Sequence, residues 1–280
     1  MFAFSVVICR RFALVAIMIL FSIVAAQAAD TSNWVGRRCL AKSLTVSVYD
    51  GSRVIGTAKE LDPVFQVVQV DGSWLAVHGT AIAGWVRVDD VVPLDVALAY
   101  FSDLIRREPN NLPAYTARGI AAKEQGDFEQ SIADHSHVMQ YDPKPSAAYL
   151  NRGNAWAGKG KHDKALADYA EAIRYDPQFL AAYNNLAWSL ATRPERELRD
   201  GPRAVEAATK ACELTGWKNA ECLDTLAAAH AEAGDFPAAE QSEKRALEIT
   251  HPQTNAYSQF SQRLTLYRNK QPYRQVTGSP

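Results

Sequence analysis

The stretch SAAYLNRGNAWAGKGKHDKALADYAEAIRYDP at residues 146–177 decides the fold of most of this chain. The preceding stretch, LPAYTARGIAAKEQGDFEQSIADHSHVMQYDP at 112–143, carries the same pattern 34 residues earlier. Each contains a Tyr, an Arg-Gly pair, a second Gly and a final Asp-Pro in the same register. A fixed step of this length is typical of stacked helical hairpins, each of which buries its apolar face against the next. We therefore expect an array of paired helices and a surface suited to holding another molecule.

The recurring residues have physical roles in such hairpins. Gly153, like its counterpart 34 residues earlier, lacks a side chain where two helices are expected to cross closely. Gly126 and Gly160 supply the left-handed conformation that ends the first helix of each pair. Pro143 and Pro177 end the second helix and begin the next hairpin.

At these positions the chain resembles tetratricopeptide (TPR) repeat proteins, from about residue 95 to 253. A third repeat begins with LAAYNNLAWSLAT at 180–192, and a fourth occupies 220–249. Between them, RPERELRDGP at 193–202 lengthens the inter-helix turn by five residues, and the helix is expected to resume at Ala204. The resemblance implies a superhelical solenoid of about four repeats over residues 110–253.

Three segments flank this array. Residues 95–109 match the second helix of a half repeat, and we expect an amino-terminal module to pack where its first helix is missing. Residues 254–268 predict an amphipathic helix that caps the open end of the stack, with Tyr257, Phe260, Leu264 and Tyr267 on one face. Residues 269–280 are expected to form a flexible tail.

Residues 33–94 differ from the repeats in composition, with short runs rich in valine and aromatic residues between glycines. Such runs predict a small closed barrel of about five strands. The strings DGSWLAV at 71–77 and GWVRVDDVVPL at 84–94 resemble the bacterial SH3-like domain, in which a Gly-Trp-Val strand leads into a short turn. That resemblance implies binding of peptides or cell-wall peptides, with Trp74 and Trp85 as the candidate ligand face. The alternative is that each Trp packs into its own barrel.

The predicted fold is thus multidomain: a small all-β SH3-like barrel followed by an all-α TPR superhelical solenoid. Residues 1–28 combine Arg10-Arg11, an apolar run and the small residues of Ala26-Gln27-Ala28, the three parts of a secretory signal peptide. We expect cleavage between Ala28 and Ala29, a periplasmic or secreted location, and no transmembrane anchor after cleavage. The alternative is an uncleaved anchor, because residues 2–9 are also apolar.

Charge and chemistry restrict the classes of function. Without residues 1–28 the chain has 28 basic and 31 acidic residues, a net charge of −3, which offers no electrostatic footprint for nucleic acid. We predict no catalytic residue, no cofactor and no metal site. His135 and His137 lie two apart on a helix and so point to different faces, and His135 takes a core position. Cys212 and Cys222 flank a predicted inter-helix loop and form a candidate disulfide; the alternative is two small buried residues.

In the TPR family that the chain resembles, the first helix of each repeat builds the inner groove. The projected groove residues are Thr116, Ile120, Asn151, Asn154, Asn184, Asn185, Trp188, Asp224 and Ala228. Of these, Asn151, Asn154, Asn184, Asn185 and Trp188 are the candidate peptide-binding residues. Asn151 and Asn185 recur at equivalent positions and resemble the asparagine ladder by which some TPR arrays hold a peptide backbone. The alternative is that these asparagines are solvent-exposed or interhelical.

These observations favour an exported, non-catalytic scaffold or adaptor that binds an extended peptide or protein in the TPR groove. Two alternatives stay open. One is a cell-wall protein that binds peptidoglycan through the SH3-like domain, with the repeats as a spacer. The other is an accessory subunit of an envelope enzyme.

Overall fold

The computed structural model describes residues 33–43, 45–57, 63–79 and 83–275. The predicted signal peptide, its cleavage point and residues 276–280 lie outside these ranges. The chain divides into two compact units, one up to Ala121 and one from Ala122 onward. None of the helices in the described ranges is both long and apolar enough to cross a bilayer.

The first unit contains a seven-stranded antiparallel sheet. Along the sheet the strands follow the order β3-β2-β6-β5-β4-β1-β7. The strands are β1 (Arg38–Ala41), β2 (Ser47–Asp50), β3 (Arg53–Thr57), β4 (Val64–Asp71), β5 (Trp74–His78), β6 (Ala83–Arg87) and β7 (Val91–Pro93). The predicted Gly-Trp-Val strand is β6, and it leads into a short 3-10 turn at Val88–Asp90.

The prediction of a closed five-stranded barrel is wrong. Within the described ranges β3 and β7 form the two ends of the sheet and do not pair with each other. The sequence reading missed β1 and β7, which pair with one another and extend the sheet beyond β4. β7 ends in Pro93, which has no backbone N–H to donate and therefore suits an edge strand. The strand-rich region is real, but its sheet is open.

Two apolar clusters stabilise this unit. One lies within the sheet and is centred on Trp34, Phe65 and Leu75, all fully or almost fully buried. The other joins sheet residues such as Leu40 and Val92 to Phe101 of α1 (Leu94–Arg107) and to α2 (Leu112–Glu124). α1 covers the segment for which a half-repeat helix was predicted, and sheet residues share its apolar cluster.

The second unit is all helical from α3 onward. Its helices are α3 (Phe128–Tyr141), α4 (Ser146–Gly158), α5 (His162–Tyr175), α6 (Leu180–Thr192), α7 (Gly201–Leu214), α8 (Ala220–Glu232), α9 (Phe236–Glu248) and α10 (Asn255–Arg268). Pairs of consecutive helices pack together, which is the predicted repeat arrangement. α10 packs against α9, and it buries Phe260, Leu264 and Tyr267.

The turns within the repeats follow from their glycines. Gly126, Gly160 and Gly234 have φ values of 82°, 75° and 84°, the left-handed region in which a side chain would be strained. After two of these glycines, Asp127 and Asp235 cap the next helix, since each carboxylate accepts a hydrogen bond from a main-chain N–H in the first turn. The same Gly-Asp-Phe string thus ends one helix and begins the next.

The five-residue insertion is folded against its neighbours. It contains a short 3-10 turn at Arg196–Leu198, and α7 begins at Gly201, three residues before the predicted Ala204. Asp200 caps α7, and its own N–H donates to the Leu190 carbonyl at 3.0 Å. A Cβ on Gly201 would lie 2.7 Å from the main chain of Ala233. Only glycine allows this approach, so the insertion is held closely beside the turn of the fourth repeat.

Candidate functional site

The first helices of the last repeats and the capping helix surround an open cavity of about 580 Å³. Because side chains three and four apart share a helix face, α6, α8 and α10 each present a short polar stripe to it. The lining residues are Asn184, Asn185, Trp188, Glu221, Asp224, Thr225, Ala256, Gln259, Phe260, Gln262, Arg263, Leu266 and Tyr273. We call this cavity the groove. It combines amides, carboxylates and aromatic rings on one surface.

Three of the five candidate peptide-binding residues, Asn184, Asn185 and Trp188, line the groove. Asn154 contacts it indirectly, through a hydrogen bond to Asn185, and Asn151 is not among the lining residues. Two wider projections are wrong. Ile120 and Ala228 are only 9% and 2% exposed, because both pack into apolar clusters between helices.

The amide nitrogen of Asn185 is already bonded within the protein. Its Nδ2 donates to Asn154 Oδ1 at 2.9 Å, and the same oxygen accepts the Tyr169 hydroxyl at 2.9 Å. This is the interhelical role that the sequence left as the alternative to an asparagine ladder. Asn185 retains its Oδ1 for a ligand, while Asn184 is the neighbouring amide on the same wall.

A buried charged cluster lies at the base of the groove. Arg263 Nε donates to Asp224 Oδ1 at 2.6 Å and lies 3.9 Å from Glu243 Oε1. Glu243 is fully buried, and neither of its carboxyl oxygens accepts a hydrogen bond from the described residues. Burial, reinforced by the charge of Asp224, raises the pKa of Glu243 to about 11. Glu243 is therefore protonated at neutral pH, and Asp224 and Arg263 form a neutralised pair beside it.

Aromatic rings enclose the Arg263 guanidinium. Its carbon lies 5.3 Å from the ring centre of Trp188, 5.4 Å from that of Phe260 and 5.2 Å from that of Tyr273. Such cation–π contacts favour one orientation of the guanidinium. At the rim of the groove, burial and the nearby Asp224 raise the pKa of Glu221. The base of the groove is thus a buried ion pair enclosed by aromatic rings, and its rim carries the Glu221 carboxyl group.

The sequence reading missed Arg263, Glu243, Gln259 and Gln262. The sequence pattern does single out two of them, Arg263 and Glu243. Arg263 lies three residues after Phe260 and four before Tyr267, on the predicted buried face of α10. Glu243 lies between the buried Ala239 and Ala246 on α9. A charge inside an apolar stripe indicates a buried partner, although the pattern does not say which residue that partner is.

The segment expected to be a flexible tail is partly ordered. Residues 271–275 pack against helices of the second unit, where the Tyr273 ring lies 5.7 Å from that of Trp188 and the Gln275 N–H donates to the Thr192 carbonyl at 2.8 Å. Arg274 forms an ion pair with Glu232. Tyr273 thereby becomes one wall of the groove. The sequence pattern did not predict these contacts because the segment has no helical or strand period.

In the first unit, Trp74 and Trp85 are half-buried and lie outside the sheet core, to which the alternating Leu75, Val77 and Val86 belong. Tyr49 lies beside both, with an edge-to-face contact of 5.2 Å to Trp74 and strand pairing to Trp85. The alternative in which each Trp packs into its own core is therefore not observed.

The candidate disulfide is not formed. Cys212 and Cys222 are free thiols, buried in one apolar cluster between helices. Burial raises the pKa of Cys212 to about 11 and that of Cys222 to about 12, so both stay protonated and unreactive at neutral pH. They are the small buried residues of the alternative reading.

His135 lies in the core, as predicted, and burial lowers its pKa to about 3, so it is neutral. Across the described ranges no group of three or more His, Cys, Asp or Glu side chains is arranged to hold a metal ion.

Comparisons with known proteins agree with the repeats. Residues 146–179 and 219–251 match models of the tetratricopeptide repeat. A thermophilic TPR protein of Thermus thermophilus is 17% identical over 62% of this chain and 91% of its own, with a TM-score of 0.51. A tetratricopeptide repeat protein of Parabacteroides merdae is 18% identical over 63% of this chain and 68% of its own, with a TM-score of 0.53. No curated protein matches the chain.

These matches confirm the TPR repeats and the helical solenoid predicted from the 34-residue step. At such low identity the solved structures show the fold alone. Proteins built from TPR repeats generally act as scaffolds for protein–protein interaction and are typically not enzymes.

Proposed function

We propose that this protein is an exported, non-catalytic adaptor that binds an extended peptide segment of a partner protein in the groove. The observation that carries the proposal is the groove itself, an open cavity of about 580 Å³ lined by four amide side chains and by Trp188 and Tyr273. Amides both donate and accept hydrogen bonds, so they suit a peptide main chain of any sequence. Aromatic walls add apolar contact area at little cost in side-chain entropy.

Export is part of the same proposal. It is supported by the arrangement of residues 1–28, in which two arginines precede an apolar run and an Ala-Gln-Ala site. The mature chain would begin at Ala29 and function in the periplasm or outside the cell. A non-catalytic role is supported by the general use of TPR repeats as scaffolds.

Replacing Gln259 and Gln262 together with alanine is expected to weaken peptide binding by about tenfold, because both exposed amides line the groove on α10. Twelve-residue peptides selected from a phage-displayed library on the full-length protein would serve as probes, and fluorescence anisotropy would measure their affinity.

Gln241→Ala is the matched control for this experiment. Gln241 is also an exposed glutamine in a helix, on α9, but it does not line the groove. Its replacement should leave the affinity unchanged. Equal binding by all three proteins would mean that the peptides bind elsewhere, and a library that yields no binder would contradict the proposed function.

The face formed by Trp74, Trp85 and Tyr49 favours a second candidate function, peptidoglycan binding by the strand-rich first unit. Neighbouring rings on the outer side of a sheet provide stacking surfaces for a cell-wall peptide or sugar. If this face binds the cell wall, full-length protein should sediment with purified sacculi, and Trp74→Ala with Trp85→Ala should abolish most of the sedimentation. Sedimentation that survives both substitutions, or that is absent from the wild type, would reject this candidate.

A further inference from the structure

We infer that the end of the groove beside Trp188 recognises a peptide in which an aromatic residue is directly followed by a basic one, and that residues 271–275 of this chain occupy that end as an internal ligand. This inference rests on the proposed function, because it names the chemistry of the peptide that the groove binds. The internal segment reads QPYRQ. Three sets of contacts hold it, one with Trp188 of the groove and two with the ends of α6 and α8 beside the groove.

The aromatic position is occupied by Tyr273. Its ring lies 5.7 Å from that of Trp188 and is tilted by 37° to it. On its other sides it packs against an apolar cluster that includes Ala231, Leu266 and the fully buried Tyr267. An aromatic ring fills this position by stacking and by burial of apolar area, and a small or charged side chain would do neither.

The basic position is occupied by Arg274. Its Nη1 donates to the Ala191 carbonyl at 3.2 Å, and its Nη2 pairs with the Glu232 carboxylate. Ala191 lies in the last turn of α6, where carbonyl groups lack helical partners and the helix dipole is negative. Glu232 is the last residue of α8. One carbonyl at the end of α6 and one carboxylate at the end of α8 therefore converge on a site that selects a positive charge.

The main chain is held as well. The Gln275 N–H donates to the Thr192 carbonyl at 2.8 Å, at the end of α6. A bond between main-chain groups is independent of sequence, so it positions the segment without selecting residues. Selectivity is thus left to the aromatic and basic positions.

The segment can leave without exposing an unpaired buried charge. When Arg274 departs, Glu232 keeps its ion pair with Arg199, whose Nε lies 3.0 Å from Glu232 Oε1. Tyr273 and Arg274 are only half-buried, and the carbonyls at the end of α6 can accept water. Displacement by a second peptide of the same chemistry therefore leaves no buried charge unpaired. The internal segment acts as a competitor for external ligands.

The test uses the full-length chain and the labelled peptide fluorescein-QPYRQ-amide. In the variant Tyr273→Ala with Arg274→Ala the end of the groove beside Trp188 loses its internal ligand, so this variant should bind the peptide at least about tenfold more tightly than the wild type does. The reason is that an attached segment competes at an effective concentration in the millimolar range. Fluorescence anisotropy gives both affinities, and circular dichroism verifies that the variant is folded.

The matched control peptide is QPAAQ, which keeps the main chain and loses both recognition groups. It should bind the variant at least about tenfold more weakly than QPYRQ. Equal binding of the two peptides, or no binding of QPYRQ to the folded variant, would overturn the inference.

A second measurement uses the wild type and so does not depend on the folding of the variant. Excess QPYRQ should accelerate amide hydrogen exchange at residues 271–275, and unchanged exchange at saturating peptide would contradict the inference. Library peptides that bind the groove but lack an aromatic-basic pair would refute this inference and leave the proposed function standing.

Discussion

Replacing Arg263 with methionine is expected to lower the free energy of unfolding of the last repeats by about 3 kcal/mol at pH 7. Arg263 provides the only cation that bonds to Asp224 among the described residues, at 2.6 Å, and Asp224 is 5% exposed. Without that cation the carboxylate is buried beside a protonated Glu243 and has no opposite charge. Methionine preserves most of the apolar contact with Trp188 and Phe260. The drop in the free energy of unfolding therefore measures the contribution of the guanidinium charge. Urea unfolding followed by circular dichroism, with hydrogen exchange in α10, would measure it.

Arg268→Met is the matched control. Arg268 lies on the same helix, is exposed, and approaches Glu240 no closer than 3.8 Å, so its replacement should change stability by less than about 0.5 kcal/mol. Adding Asp224→Asn to Arg263→Met should recover much of the loss, because the uncompensated charge is then gone. Equal effects of the Arg263 and Arg268 replacements would show that the buried pair does not stabilise the repeats.

Replacing Glu243 with glutamine is expected to stabilise the protein by about 1 to 3 kcal/mol at pH 7, since one pKa unit corresponds to about 1.4 kcal/mol. Burial raises the pKa of Glu243 to about 11, against an ordinary value of 4.5. Below pH 4.5 both the folded and the unfolded chain hold this proton. Above it the unfolded chain releases the proton while the folded chain keeps it, so the wild type loses stability as pH rises towards 11. Glutamine keeps a neutral donor beside Asp224 and does not titrate.

The pH dependence separates this explanation from a simple packing effect. The stability difference between Glu243→Gln and the wild type should be near zero at pH 4 and should grow through pH 5.5, 7 and 8.5 in urea unfolding experiments. Glu248→Gln, an exposed position on the same helix, should give a difference below about 0.5 kcal/mol at each pH. A gain that does not vary with pH, or a loss at pH 7, would contradict a protonated Glu243.

The helical repeats were predictable because their signals are local. Three of the hairpins have a glycine at the turn, Gly126, Gly160 and Gly234, and a proline follows the second helix of each; these residues act within a few positions along the chain. The strand unit was less predictable. β1 and β7 are four and three residues long, and pairing between residues about 50 apart in sequence makes them strands. No periodicity reveals so short a segment.

The groove was predictable in part. The repeat register projects Asn184, Asn185 and Trp188 onto one surface, and the structure brings them together. The register does not reveal that Asn185 bonds to Asn154, because that depends on the separation of two neighbouring helices. Nor does it reveal Tyr273, which belongs to no repeat and reaches the groove only because the chain turns back after α10.

The sequence alone predicted the TPR hairpins and the turns at Gly126, Gly160 and Gly234. These features follow from the backbone conformation of glycine and proline and from the burial of an apolar stripe on each helix. Only the tertiary structure decided that the sheet is open, that the two cysteines remain free, and that Arg263, Asp224 and Glu243 share one buried cluster. These outcomes depend on distances between residues far apart in the chain, since charge pairing and strand pairing are set by position in space and leave no fixed spacing in the sequence.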